Sequence, residues 1–226
     1  MDVPRSEPLP QRESRLRITE IYLSVQGEST HVGKPCVFVR LTGCNLRCVW
    51  CDSAFTFSGG AWQGLDQVVE QAHGFGVRTI EITGGEPLLQ PAVMPLMERL
   101  LALGHDVLLE TGGSLSIATV PEPVKVILDL KAPDSGEVER NLWENVALLR
   151  PHHEVKLVLA SRRDYEWARD VIRDRALPSR CTVLLSPAWG LLDPKQLVEW
   201  MLEDRVDARL QLQLHKVVWD PSARGV

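Results

Sequence analysis

Three cysteines, Cys44, Cys48 and Cys51, stand in GCNLRCVWCD with three and two residues between them. Thiolates ligate soft metals, and a loop this short can wrap all three around one inorganic centre. A structural zinc site takes four protein ligands, and none of the six histidines stands beside the trio at a ligand-like spacing. A [4Fe–4S] cluster has four irons, normally one cysteine to each. Three cysteines therefore leave one iron open to a substrate or cofactor. Cys36 and Cys181 stand apart, one opening a strand-like segment and the other preceding one.

Other residues carry chemistry of their own. In Thr83-Gly84-Gly85-Glu86-Pro87, two glycines let a ligand approach the backbone closely, because no Cβ intervenes. Gln26-Gly27-Glu28 is either a polar turn or a set of donors and acceptors able to pair with a ligand edge. Arg40 lies in the otherwise apolar VFVRLTG, where an unpaired guanidinium is costly. It needs an anion, either a protein carboxylate or a planar ligand carboxylate held bidentately. Glu110 and His215 each end a strand-like segment and could hydrogen-bond a ligand.

The surrounding pattern shows how such residues are positioned. Arg17–Ser24, Cys36–Leu41, Thr79–Thr83, Asp106–Thr111, Val124–Leu130, Glu154–Ala160, Thr182–Ser186 and Arg209–His215 read as strands. Helical spacing is expected at Gly64–His73, Gln90–Leu103, Glu137–Leu149, Asp164–Arg175 and Pro194–Glu203. The alternation calls for a parallel sheet with crossover helices, an α/β fold. The connection Gly112–Glu122 is too short for a full helix. About six parallel strands with fewer helices make a partial (β/α) barrel, whose ligand sits at the C-terminal ends of the strands. Residues 1–16, rich in proline and charge, read as a flexible tail, leaving 17–226 as a single catalytic domain.

Composition narrows the classes. Hydrophobic residues at 44% and charged residues at 24% over 226 residues are ordinary for a globular domain. A net charge of −5 excludes a nucleic-acid coat. No apolar run approaches the length of a membrane span, and the first residues lack the apolar core of a secretory signal. Five clustered cysteines do not make a disulfide scaffold, so a cytoplasmic location is expected.

The cysteine spacing, set in the first strand-to-helix loop, resembles the radical S-adenosylmethionine (SAM) enzymes. IYLSVQGEST, VGKPCVFVRLTGCNLRCVWCDS, ITGGEPLLQ, LETGG and LQLQLHKVVWDP narrow this to a resemblance with the 7-carboxy-7-deazaguanine synthase family, over about residue 18 to the end. The resemblance implies a radical SAM-type partial barrel. It also implies conversion of 6-carboxy-5,6,7,8-tetrahydropterin to 7-carboxy-7-deazaguanine with release of ammonia, in queuosine and 7-deazapurine biosynthesis. The cofactors implied are the [4Fe–4S] cluster, SAM and Mg²⁺. Residue by residue, it assigns Cys44, Cys48 and Cys51 to the cluster and Ser53 to Mg²⁺. SAM falls to Trp50, Cys51, Asp52, Gly85, Asp129, Leu130, Lys131, Ser186, Pro187, Ala188 and Trp189. Substrate falls to Val25, Gln26, Gly27, Arg40 and Thr83, with Glu110 and His215 added as strand-end polar groups. The family's usual Ser-Pro-Lys is here Asp129-Leu130-Lys131, so that only Lys131 aligns. The partners implied are a homodimeric copy and an electron donor such as flavodoxin or ferredoxin, with neither nucleic acid nor membrane. The alternative is a radical SAM activase that generates a glycyl radical on a partner protein, which shares the cysteines and the Gly-Gly-Glu edge but needs neither Gln26 nor Arg40.

Overall fold

The structure is a computed structural model and describes residues 14–226. One nine-stranded sheet organises them. In chain order its strands are β1 (Arg15–Val25), β2 (Pro35–Leu41), β3 (Ala61–Gly64), β4 (Thr79–Gly84), β5 (Asp106–Thr111), β6 (Lys125–Asp129), β7 (Glu154–Leu159), β8 (Thr182–Pro187) and β9 (Arg209–Leu210). Across the sheet the order is β3-β1-β2-β4-β5-β6-β7-β8-β9. From β2 to β9 every pairing is parallel, seven strands rather than six. At the other edge β1 and β3 run antiparallel, and the short β3 was not expected.

Side-chain alternation splits the sheet into two faces. Val37, Val39 and Leu41 of β2, Ile80 and Ile82 of β4, and Val107 and Leu109 of β5 pack into one apolar cluster. The helices α1 (Leu65–Gly74) and α2 (Val93–Ala102) cover it. Val126 and Leu128 of β6, Val155, Leu157 and Leu159 of β7, and Val183 and Leu185 of β8 form a second cluster. There α4 (Arg162–Asp174) and α5 (Pro194–Asp204) pack, joined where the Tyr165 hydroxyl donates to the Trp200 carbonyl at 2.7 Å. The intervening residues (Phe38, Arg40, Glu81, Thr83, Glu110, Ile127, Asp129, Lys156) face the other way, into a cavity. As expected, no helix lies between β5 and β6.

Three local expectations are corrected. The strand begins at Arg15, and Leu16 is fully buried in the first cluster, so Arg15 and Leu16 belong to the sheet rather than to the tail expected over 1–16; residues 1–13 lie outside the described residues. The helix expected over Glu137–Leu149 is a 3₁₀ turn (Val138–Arg140) and a single turn α3 (Glu144–Ala147). Two asparagines break it. Asn141 bonds the backbone of Lys131 on both sides, and Asn145 bonds Gly113, Leu115 and Ile117, side-chain ties that compete with helical pairing. The last strand is only Arg209–Leu210, followed by α6 (Leu214–Val218), which carries His215.

Candidate functional site

The cavity has a volume of about 660 Å³ and opens over the ends of the parallel strands. Cys44, Cys48 and Cys51 all line it. They follow β2 in the loop to β3, partly buried and reduced. Burial raises the Cys44 and Cys48 thiols, Cys48 to about 11, while Lys131 beside them works the other way. Among the described residues no three His, Cys, Asp or Glu side chains are arranged around a single metal ion. The three thiols line one cavity, and three cysteines suit a [4Fe–4S] cluster with one open iron better than a structural zinc, which takes four protein ligands. Cys36 and Cys181 are buried outside the cavity lining.

Behind the cysteine loop, the two glycines at the end of β4 have a steric reason. A Cβ on Gly85 would stand 2.0 Å from the Gly43 carbonyl oxygen and 2.9 Å from the Cys44 Cβ. On Gly84, at φ +139°, it would stand 2.3 Å from the Leu41 carbonyl oxygen. The strand end is therefore pressed against the cysteine loop itself. Glu86, fully buried, fixes the next corner. It accepts hydrogen bonds from the backbone N–H of Leu88 (3.0 Å) and Gly112 (2.8 Å) and from the Thr111 hydroxyl (2.9 Å). Burial raises its pKa, and those donors pull the other way.

The polar wall is a charge network. Lys156 Nζ contacts Glu28 at 2.8 Å, Asp129 at 3.7 Å, and Glu110. Burial disfavours its charge, but the carboxylates of Glu110, Glu28 and Asp129 prevail and raise its pKa well above the usual lysine value. Glu110, also accepting from the Thr83 hydroxyl at 2.8 Å, is held down to about 2, because Lys156 outweighs the cost of burial. Glu81 goes the opposite way. Burial, with Glu110 nearby, raises it well above the usual carboxylate value, and its partner is the Gln26 side-chain amide. The Gln26 carbonyl oxygen accepts from the Glu28 N–H at 2.9 Å. Asp129 pairs with Lys131 at 2.9 Å through Oδ2, while its buried Oδ1 has no partner and so can receive a ligand's donor.

The expected residues fall unevenly. Val25, Gln26, Gly27, Arg40, Thr83, Glu110 and His215 all line the cavity, as do Trp50, Asp52, Ser53, Gly85, Asp129, Leu130, Lys131, Ala188 and Trp189. Ser186 and Pro187 do not; both are buried within β8. The Leu130 side chain belongs to the second apolar cluster. Arg40 has a protein partner, Glu20, at 2.8 Å, and its Nη2 donates to the Tyr22 hydroxyl at 2.9 Å. Ser53 precedes a 3₁₀ turn but its hydroxyl caps nothing, lying 3.9 Å from Cys51 Sγ. Asp52 is salt-bridged to Lys216 at 2.7 Å, which outweighs desolvation and brings it to about 2. Glu81 and Lys156 were not anticipated, and Glu28 was named only as part of the Gln26-Gly27-Glu28 turn. The signal was present in TIEIT, with one charge on the polar phase of an apolar strand as in VFVRL, and in EVKLVL, where Glu154 and Lys156 share that phase.

The Radical SAM superfamily model matches residues 38–135. A 7-carboxy-7-deazaguanine synthase of Koribacter versatilis (strain Ellin345) is 46% identical, covering 93% of this chain and all of the relative. One from Chlorobaculum tepidum is 43% identical, over 95% of this chain and 99% of the relative. The crystal structure of QueE from Escherichia coli superposes with a TM-score of 0.72 over 89% of this chain and 95% of that one, at 22% identity, a likeness of fold. Relatives bearing the synthase name do not favour the glycyl-radical activase alternative. Its sequence, its open parallel barrel and its three cavity-lining cysteines agree: the chain belongs to the 7-carboxy-7-deazaguanine synthase family of radical SAM enzymes.

Proposed function

We propose that the chain converts 6-carboxy-5,6,7,8-tetrahydropterin to 7-carboxy-7-deazaguanine with release of ammonia, a step of queuosine and 7-deazapurine biosynthesis. The observation that carries this reading is the shared cavity, in which the cysteine triad faces a wall made of Gln26–Glu28, Arg40, Thr83 and Glu110. Cys44, Cys48 and Cys51 would hold a [4Fe–4S] cluster, leaving one iron for SAM. Once bound and given one electron by a reductant, this pair would supply the radical chemistry needed to take a hydrogen atom from the substrate.

The protein's part is orientation. Arg40 is held by Glu20 at Nε and by the Tyr22 hydroxyl at Nη2, which leaves its Nη1 N–H groups to receive the substrate carboxylate. Glu110 is ionised and acceptor-only, suited to the amino and ring N–H groups of the pterin. Thr83, Val25, Gln26, Gly27 and His215 complete that side. Asp129, through its unpartnered Oδ1, accepts from a ribose hydroxyl of SAM. Lys131, Gly85, Trp50, Asp52, Ala188 and Trp189 border the same ligand. Ser53 offers to Mg²⁺ a hydroxyl that caps no helix, and the cation prefers oxygen and keeps several waters.

The reading carries with it a cytoplasmic enzyme, a homodimer, and a small electron-transfer protein such as flavodoxin or ferredoxin. Among the described residues no helix is long and apolar enough to cross a membrane. Its test is incubation of the anaerobically reconstituted, reduced protein with SAM, Mg²⁺ and the carboxypterin. Formation of the deazaguanine acid and ammonia is expected; SAM cleavage without either product would refute the substrate.

A further inference from the structure

The sheet does not close. Its edges are β3 on one side and the two-residue β9 on the other. Between them runs an open seam, and the cavity lies along it. Two segments cross this gap. The first is the loop after β1, which turns at Gln26 and reaches β7, where the Thr30 N–H donates to Glu154 at 3.1 Å. The second is the segment after β9. It leaves the sheet at Gln211, whose N–H donates to the Leu185 carbonyl at 2.8 Å, and crosses back toward β2.

We infer that Lys216 is a positioning residue which, with Gln213, ties this second segment both to the cysteine loop at Asp52 and to the Gln26–Glu28 turn, and so holds the two sides of the cavity at one spacing. Lys216 Nζ lies 2.7 Å from Asp52 Oδ2 and donates to Gln213 Oε1 at 2.9 Å. The Gln213 amide donates to Glu28 at 3.0 Å and to Asp52 at 3.2 Å. Beside them the Leu214 N–H donates to the Gly27 carbonyl at 2.9 Å. His215 presses on Gly27 so closely that a Cβ there would stand 2.2 Å from its Nδ1. One cluster thus bridges Asp52, next to the cluster ligand Cys51, and the turn proposed to receive the substrate.

Polar ties must carry this junction, because apolar burial does not. The helix α6 has five residues, none of them buried, and Val217 and Val218 are 62% and 56% exposed. A helix that short has no stability of its own. The Lys216 side chain, in contrast, is only 9% exposed. Beyond it the chain continues along the cavity, and the Arg224 guanidinium stacks 4.1 Å from the Phe55 ring. Loss of the Lys216 link frees the segment at its midpoint and lets the substrate side drift from the cysteine loop.

The inference rests on the function proposed above for its catalytic arm alone, and the two arms of the test separate them. In the cluster-free protein, amide hydrogen exchange over residues 211–219 is compared for wild type, Lys216→Met, Lys216→Arg and Gln213→Leu. Lys216→Met and Gln213→Leu are expected to speed exchange there about tenfold or more, with β4–β7 unchanged, and Lys216→Arg to restore most of the protection. In the reconstituted enzyme, Lys216→Met is expected to raise KM for the carboxypterin about tenfold and to increase 5′-deoxyadenosine released per product formed, with SAM binding nearly intact. Unchanged exchange in both variants overturns the tie. Faster exchange with unaltered KM and unaltered coupling overturns the positioning role. Wild-type enzyme that fails to turn over the carboxypterin refutes the proposed function and leaves the exchange result standing.

Discussion

Three cysteines line the cavity and two are buried elsewhere, and the contrast can be measured. Replacing Cys44, Cys48 or Cys51 by Ala should remove the broad iron–sulfur absorbance after reconstitution and lower turnover by at least about a thousandfold, without loss of fold. Cys36→Ala and Cys181→Ala should keep the absorbance and cost about 1 kcal/mol each in urea unfolding, through small core voids. Gly85→Ala is a different kind of change. With its Cβ 2.0 Å from the Gly43 carbonyl oxygen, it should destabilise the cluster-free protein by about 3 kcal/mol or more and lower iron uptake. Lys156→Met removes the cation from three carboxylates and should cost about 3–5 kcal/mol. At this scale the cysteine triad was plain in the sequence, because its spacing alone restricts the chemistry. Glu81 and Lys156 were not, although Glu81 repeats the signal that marked Arg40 and Lys156 shares the polar phase of its strand with Glu154. A lone charge in an apolar strand shows that it faces something polar. Which strands bring such charges together depends on register: Arg40 beside Thr83, and Asp129 beside Lys156.

Elements with one side held by an apolar cluster were the most legible, since period-two and period-3.6 patterns survive there. Thus β5 begins and ends where its sequence does, and α4 follows its amphipathic pattern. The failures share a cause. RLQLQLH alternates well enough for a strand, but Leu210 and Leu212 are half exposed and no second sheet neighbour pairs beyond Leu210, so the chain leaves to bond Gly27. Glu137–Leu149 has helical spacing, but its asparagines serve as crosslinks between loops. The start of α4 is set locally. The Ser161 hydroxyl accepts from the Asp164 N–H at 3.2 Å, and Ser161→Ala should cost about 1 kcal/mol in thermal or urea unfolding.

For the whole molecule, the open sheet makes the enzyme and the seam makes it vulnerable. A closed barrel would fill its interior with side chains; here the polar phase of the strands is left lining a cavity, at the cost of buried charge. Stability should also respond to pH from outside the cavity. His153, in the turn before β7, is buried, and with His152 and Arg150 nearby its pKa falls to about 4. Between that value and about 6.5 the unfolded chain takes up a proton that the folded chain does not. Stability should therefore fall as pH drops through this window and receive no further loss from His153 below about 4. His153→Asn should flatten that part of the curve, read by denaturant unfolding of the cluster-free protein at a series of pH values.

One cavity should receive both SAM, at a vacant iron, and the pterin, at the opposite polar wall. A crystal structure of the anaerobically reconstituted protein with both bound decides this. The expected result is a [4Fe–4S] cluster on Cys44, Cys48 and Cys51 with SAM on the fourth iron, and the pterin between Arg40, Glu110 and the Gln26–Glu28 turn. A protein side chain on the fourth iron, or a pterin seated away from that wall, would contradict it.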